Sequence, residues 1–433
     1  MSTPINVERQ AVVIVHGIGE QRPMDTVKSF VEAIKKIDTT DSPLQPVWLK
    51  PDKISEGFEH RRFTIPGHRN RPVTDVYELY WAHLFEQESH RTFFSWFAHL
   101  VFRRSKALPL RFRRLQFLVR VVLAMAATVL TYSFWGTPNN FLESTPIILV
   151  FVSGFIFYWI SYWMLNHLAD AARYLDASPR NIVSRNEVRK LGVDFLRNLH
   201  QSDRGYNRIV LCGHSLGSII GLDILNHFWY ERHSFFEKKS RYNQEVLQKF
   251  HEAIESGNFQ NFRNKQRELF RELAAVGLNW SITDFVTMGS PLAHSDAILA
   301  KSADQFILEK EQGITSTCPP TPDRKDKKIW HKHHFNLDSS KVRTIKILNS
   351  NSVFAPVRWT NIYLQRNGIA LGDPVSGPLK PLYGWGVRDL PVKLPVSSGW
   401  FQHSLYWSVD KKGNDNPALE ALRKALMLDH RQY

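Results

Sequence analysis

The chain has 433 residues, with 56 Lys and Arg against 41 Asp and Glu and a net charge of +15. Apolar residues make up 43% and charged residues 22%, a balance that excludes a globally disordered chain. Two cysteines, Cys212 and Cys318, are too few for a disulfide framework or a four-thiolate zinc site, so the composition suits a reducing compartment.

The N-terminal MSTPINVERQ is polar and predicts no secretory signal. Ala11 to Val15 (AVVIV) is a short, continuous, β-branched run that predicts a buried central strand, and His16-Gly17-Ile18-Gly19 follows it. Val27, Phe30, Val31 and Ile34 recur at helical spacing within 25–37, and VYELYW at 76–81 predicts a second strand.

Residues 115–166 depart from this pattern. Gln116 to Trp135 contains one charge, Arg120, and Thr145 to Leu165 contains none. Each approaches the roughly 20 residues that a helix needs to cross a bilayer. Trp135, Tyr158, Trp159, Tyr162 and Trp163 lie near the segment ends, where amphipathic aromatics favour the headgroup region. The segment before the first run carries Arg103, Arg104, Lys106, Arg111, Arg113 and Arg114 with no acid, while the loop 136–144 has no Lys or Arg. The expectation is a transmembrane hairpin with two crossings and both long flanks cytoplasmic. The six basic residues are expected to meet anionic lipid of the bilayer. A pair of helices buried in a soluble core is the alternative, and no nucleic-acid partner is expected because no motif for one accompanies the charge.

Beyond the hairpin, 186–200 is amphipathic, and Arg208 to Cys212 predicts a strand running into a glycine-flanked turn and a helix from Leu216 to about Tyr230. Residues 231–275 form a charged, helix-favouring insertion. Strands are predicted at 285–288 and 342–348, with a loop-like 301–340 between them. Asn416 and Pro417 mark the N-cap and first turn of a closing helix to Leu428. Strands alternating with helices predict a mostly parallel α/β sheet with helices on both faces. Its two parts, 1–114 and 167–433, are expected to fold together around the hairpin 115–166.

Gly213-His214-Ser215-Leu216-Gly217 fits G-x-S-x-G, in which a strained turn between strand and helix presents a serine for activation by a base. The chain therefore resembles the α/β-hydrolase superfamily, in particular its lipase-like serine hydrolases. Four segments carry the resemblance: AVVIV with His16-Gly17-Ile18-Gly19, GHSLG, Met288-Gly289-Ser290-Pro291-Leu292, and Gly372-Asp373-Pro374-Val375 with His403-Ser404-Leu405-Tyr406-Trp407. The membrane insert departs from the family pattern.

The resemblance implies Ser215 as nucleophile, Asp373 as acid and His403 as base, in the order Ser…Asp…His, with Ile18 and Leu216 donating backbone N–H groups to the oxyanion. Asp296 is the competing acid. His331, His333 and His334 read as a solvated basic segment, and neither a metal nor a cofactor is expected. The expected activity is hydrolysis of acyl esters, lipid-derived if a hairpin holds the site at a bilayer. A thioesterase, an amidase or a catalytically silent scaffold are the alternatives.

Overall fold

The computed structural model describes residues 8–17, 22–35, 47–55, 60–67, 71–84, 102–105, scattered positions from 113 to 131, 174–175, 179–239, 244–338, 341–365, 372–395, 402–408 and 416–428. Two compact units are present. One comprises Met1–Leu84, Asn186–Ser295 and Ile307–Tyr433, and the other Phe85–Arg185 with Asp296–Phe306.

The first unit is α/β, built on a mixed eight-stranded sheet. Its strands are β1 (Arg9–Val15), β2 (Trp48–Pro51), β3 (Arg61–Ile65), β4 (Val73–Leu79), β5 (Arg208–His214), β6 (Ile282–Met288), β9 (Arg358–Leu364) and β10 (Arg388–Val392), in the order β10-β9-β6-β5-β1-β4-β3-β2. The pairings from β10 through β4 are parallel; β3 runs antiparallel to β4, and β2 antiparallel to β3. Strands β5 and β6 are buried at every residue; β5 accordingly reads as an apolar run at Ile209–Cys212, whereas β6 buries Thr283, Asp284 and Thr287 among its apolar residues.

Period-two alternation divides the core between two faces. Val12, Ile14, Val210, Cys212, Val286 and Met288 pack with α1 (Asp25–Ile34) and the closing helix. On the opposite face Leu211 and Phe285 meet α3 (Leu216–Lys239) at Gly221, and α3 in turn packs on α2 (Pro179–Gln201) at Gly192. The charged insertion forms α4 (Gln244–Glu255) and α5 (Phe259–Ala275), whose buried Leu247, Phe250, Phe262 and Leu269 pair the two helices.

The stretch 301–340 is not the expected loop. It contains α6 (Ala303–Glu311) and β7 (Trp330–Asp338), and β7 pairs antiparallel with β8 (Lys341–Leu348) as a separate hairpin. Its Lys and His residues hid the alternation. The closing helix α7 (Pro417–Leu426) is capped by Asn416, whose side chain accepts from Leu419 N–H at 2.9 Å. At its other end Arg208, fully buried, donates to the carbonyls of Ala425 and Leu426 and to Asp284.

The expected membrane hairpin is corrected. Among the described residues no helix is long and apolar enough to cross a membrane, so two crossings and an integral membrane protein with a cytoplasmic catalytic domain are not supported. Of the first expected span only scattered positions are described, and 145–165 lies outside the described residues. The first span begins among polar partners: Gln116 donates to the Arg103 carbonyl and accepts from Ser105, and Arg120 donates to both. A low charge count thus marked an apolar segment without establishing a spanning helix. Arg103, assigned to lipid, instead donates to the carbonyls of Ala297 and Ala300 at 2.9 and 3.0 Å. Arg104 is exposed, and Lys106, Arg111 and Arg114 lie outside the described residues.

Candidate active site

The connections leaving the neighbouring strands β1 and β5 run in opposite directions: from β1 the chain goes to the β4 side of the sheet, and from β5 to β6 on the other side. Such a reversal opens a crevice beyond the carboxyl ends of parallel strands, where α/β sheets place their ligands. His16 and Gly17 follow β1 there, and Ser215 follows β5.

Ser215 has φ +52°, a left-handed conformation that a side chain rarely adopts and that lifts the residue out of the strand. The turn is fixed on three sides. Ser215 N–H donates to the Met288 carbonyl at 2.9 Å, tying it to β6. The Ser215 carbonyl accepts from both the N–H and the hydroxyl of Ser218, at 2.9 and 2.6 Å. Ser290, from the Gly-Ser-Pro segment, lies 2.6 Å from the Ser218 hydroxyl and donates to it, since the Ser218 proton is already committed. Gly217 permits this packing: a Cβ there would stand 2.1 Å from the Val15 carbonyl oxygen.

His403 Nε2 lies 2.8 Å from Ser215 Oγ and its Nδ1 lies 3.0 Å from Asp373 Oδ2. A neutral ring protonated on Nδ1 satisfies both contacts, donating to the carboxylate and accepting from the hydroxyl. Asp373 also accepts from Val375 N–H at 2.9 Å and from the Tyr406 hydroxyl at 2.6 Å. Burial alone would push this carboxyl upward, but hydrogen bonds from His403 and Tyr406 outweigh it and hold it at about 2. Ser215 is only 5% exposed and Asp373 not at all, so the chain of hydrogen bonds is shielded from bulk water.

The structure thus brings Ser215, His403 and Asp373 together from positions up to 188 residues apart. His403 Nδ1 takes Asp373 rather than the competing Asp296, which is buried in the short helix Ser295–Ile298. Ile18 lies outside the described residues, so only its neighbours can be placed. His16 Nδ1 donates to the Gly17 carbonyl at 2.9 Å, its Nε2 accepts from Trp81 N–H at 3.4 Å, and the Trp81 ring stacks on it. Burial lowers His16 to about 4 and keeps it neutral. Leu216 is the first residue of α3, where N–H groups have no partner within the helix.

No family model, curated protein or solved structure matches this chain. Geometry alone must carry the reading.

Three supporting residues escaped the sequence. No motif announces Ser218, which lies just past the G-x-S-x-G pattern; Tyr406 belongs to the quoted His403–Trp407 segment, but its role emerges only from the folded contact to Asp373. Ser290 stood in the quoted Gly-Ser-Pro segment, yet only the folded contact to Ser218 shows what it does. Among the described residues no group of three or more His, Cys, Asp or Glu side chains is arranged to hold a metal. His331, His333 and His334 lie along β7, with His334 Nδ1 bonded to the Thr344 hydroxyl at 2.8 Å.

Proposed function

We propose that the chain is a serine hydrolase of the α/β-hydrolase type that cleaves acyl esters. The observation that carries this reading is the continuous hydrogen-bond chain from Ser215 Oγ through His403 to Asp373, anchored on a left-handed serine at the end of a central parallel strand.

In this reading Ser215 Oγ attacks the ester carbonyl carbon and passes its proton to His403 Nε2. Asp373 holds the ring in the required tautomer and stabilises the imidazolium. The carbonyl oxygen becomes an oxyanion beside the Leu216 N–H and the positive end of α3. Collapse expels the alcohol, which takes the proton from His403, and water then cleaves the acyl-serine by the same steps in reverse roles. A lipid-derived ester is expected only if a hairpin holds the site at a bilayer, and no described helix is long and apolar enough to form one.

The test is covalent. A fluorophosphonate probe should label the wild-type chain at Ser215, and Ser215→Ala should fold normally yet neither label nor hydrolyse ester substrates. An unlabelled wild-type chain would instead indicate a catalytically silent scaffold. Comparison of ester, thioester and amide substrates then assigns the bond that is cut.

A further inference from the structure

Asp373 Oδ2 serves two donors at once, His403 Nδ1 at 3.0 Å and the Tyr406 hydroxyl at 2.6 Å. An ionised carboxylate can only accept, so the single hydroxyl proton of Tyr406 is committed to Asp373. The Tyr406 oxygen is then free to accept, and it takes Leu364 N–H at 3.2 Å and lies 3.0 Å from Ser376 Oγ. The ring is fully buried. It fits because residue 289 has no side chain: with φ +60°, a Cβ at Gly289 would stand 2.9 Å from Tyr406 Cε2 and 3.1 Å from His403 Cε1. One glycine therefore makes room for both donors to a single carboxylate oxygen.

We propose that Tyr406 is a positioning residue that fixes the acid's Oδ2 for His403 and, by sharing that oxygen, limits how strongly the carboxylate supports the imidazolium. The proposal rests on the triad reading above. Charge that Oδ2 gives to the tyrosine hydroxyl is withheld from the imidazole. Among the described residues, the groups facing His403 from the elements packed against it are Asp373 and Tyr406, Ser215, and His214 from β5, with His16 behind His214 and Ser376 hydrogen-bonded beside Asp373 and Tyr406. Burial lowers His214 to about 3 and His16 to about 4, so both stay neutral across the working range. The carboxylate of Asp373 is thus the charge that Tyr406 modulates.

The experiment compares wild type, Tyr406→Phe and a chain with 3-fluorotyrosine placed at position 406, whose more acidic hydroxyl donates more strongly. Two readouts are taken: the pH profile of kcat/KM on a p-nitrophenyl ester, and the low-field proton resonance of His403 Nδ1–H, assigned by its loss in His403→Gln. Tyr406→Phe should move the acid limb up by about half a pH unit and the resonance downfield, with KM nearly unchanged and kcat lower by about fivefold. The fluorinated chain should shift both in the opposite sense, and it decides the matter if the phenylalanine variant fails to fold. A variant with lower stability and lower kcat, but with the acid limb and the resonance unmoved, would make Tyr406 a packing residue and overturn the proposal. The resonance needs no turnover. If it moves as expected while the wild type resists fluorophosphonate, the hydrolase reading fails and the coupling of Tyr406 to His403 stands.

Discussion

His214, the residue before Ser215, holds His403 by its backbone: His214 Nε2–H donates to the carbonyl of His403 at 3.0 Å. The two rings also lie 5.2 Å apart, and Trp407 meets His214 edge-on at 4.8 Å. Ser215 and the anchor of His403 are therefore adjacent residues of one turn, and any shift of Ser215 along β5 carries that anchor with it.

That anchor can be removed while ring volume is kept. His214→Phe loses the donor and strands a buried carbonyl, which should lower kcat about tenfold with little change in KM, corresponding to about 1 to 2 kcal/mol. Steady-state kinetics alongside a thermal melt checks this. A variant with wild-type kcat would show that the late loop holds His403 without His214.

Gly289 offers a harsher test. An alanine there must adopt φ +60° and push against both His403 and Tyr406. Gly289→Ala should cost about 1 to 3 kcal/mol of stability and lower kcat at least a hundredfold, because displacement of about an ångström at a base is enough to disrupt proton transfer. Denaturant melts and probe labelling rates measure the two effects separately.

Glu78 predicts a pH dependence remote from the triad. Its carboxylate accepts from Met24 N–H, the residue that precedes α1, at 2.6 Å. Burial, with some help from the charge of Asp25, raises it from 4.5 to about 7 despite the hydrogen bonds that oppose the shift. A folded value above the unfolded one means that the contribution to stability is complete below about pH 4.5 and is lost as pH rises through 7. Glu78→Gln, neutral throughout, should match the wild type at pH 4 to 5 and exceed it by about 2 kcal/mol at pH 8. Melting curves at the two pH values decide; an equal gain at both would place the effect in packing rather than ionisation.

Much of the site was legible in the sequence because its parts are local. Strands β1 and β5 carry continuous apolar runs and β6 is legible at Phe285–Met288, and each leads into a glycine-bearing turn that the chain spells out. Strand β9 was hidden by polar residues whose partners are distant: Arg358 pairs with Asp284, and Asn361 donates to the Gly377 carbonyl and to Asp389. Apolar content misled at 116–135, where a long run with a single charge, Arg120, predicts a crossing that no described helix supports. Tyr406 lies in a segment that the resemblance singles out, but its role was hidden because the oxygen it binds belongs to a loop 33 residues earlier.

The separation of 188 residues between Ser215 and His403 also orders events in time. Strand β5 and its elbow emerge from the ribosome long before the segment that supplies the base, and contacts so distant in the chain form late and slowly. On the proposed hydrolase reading, a nascent or truncated chain ending before residue 403 holds Ser215 without His403 and should not be acylated by passing esters while its sheet is still open. On that reading, Ser215 is expected to become reactive only when the late loop seats. Probe labelling sampled during refolding would therefore time that final closure, independently of when the sheet itself forms.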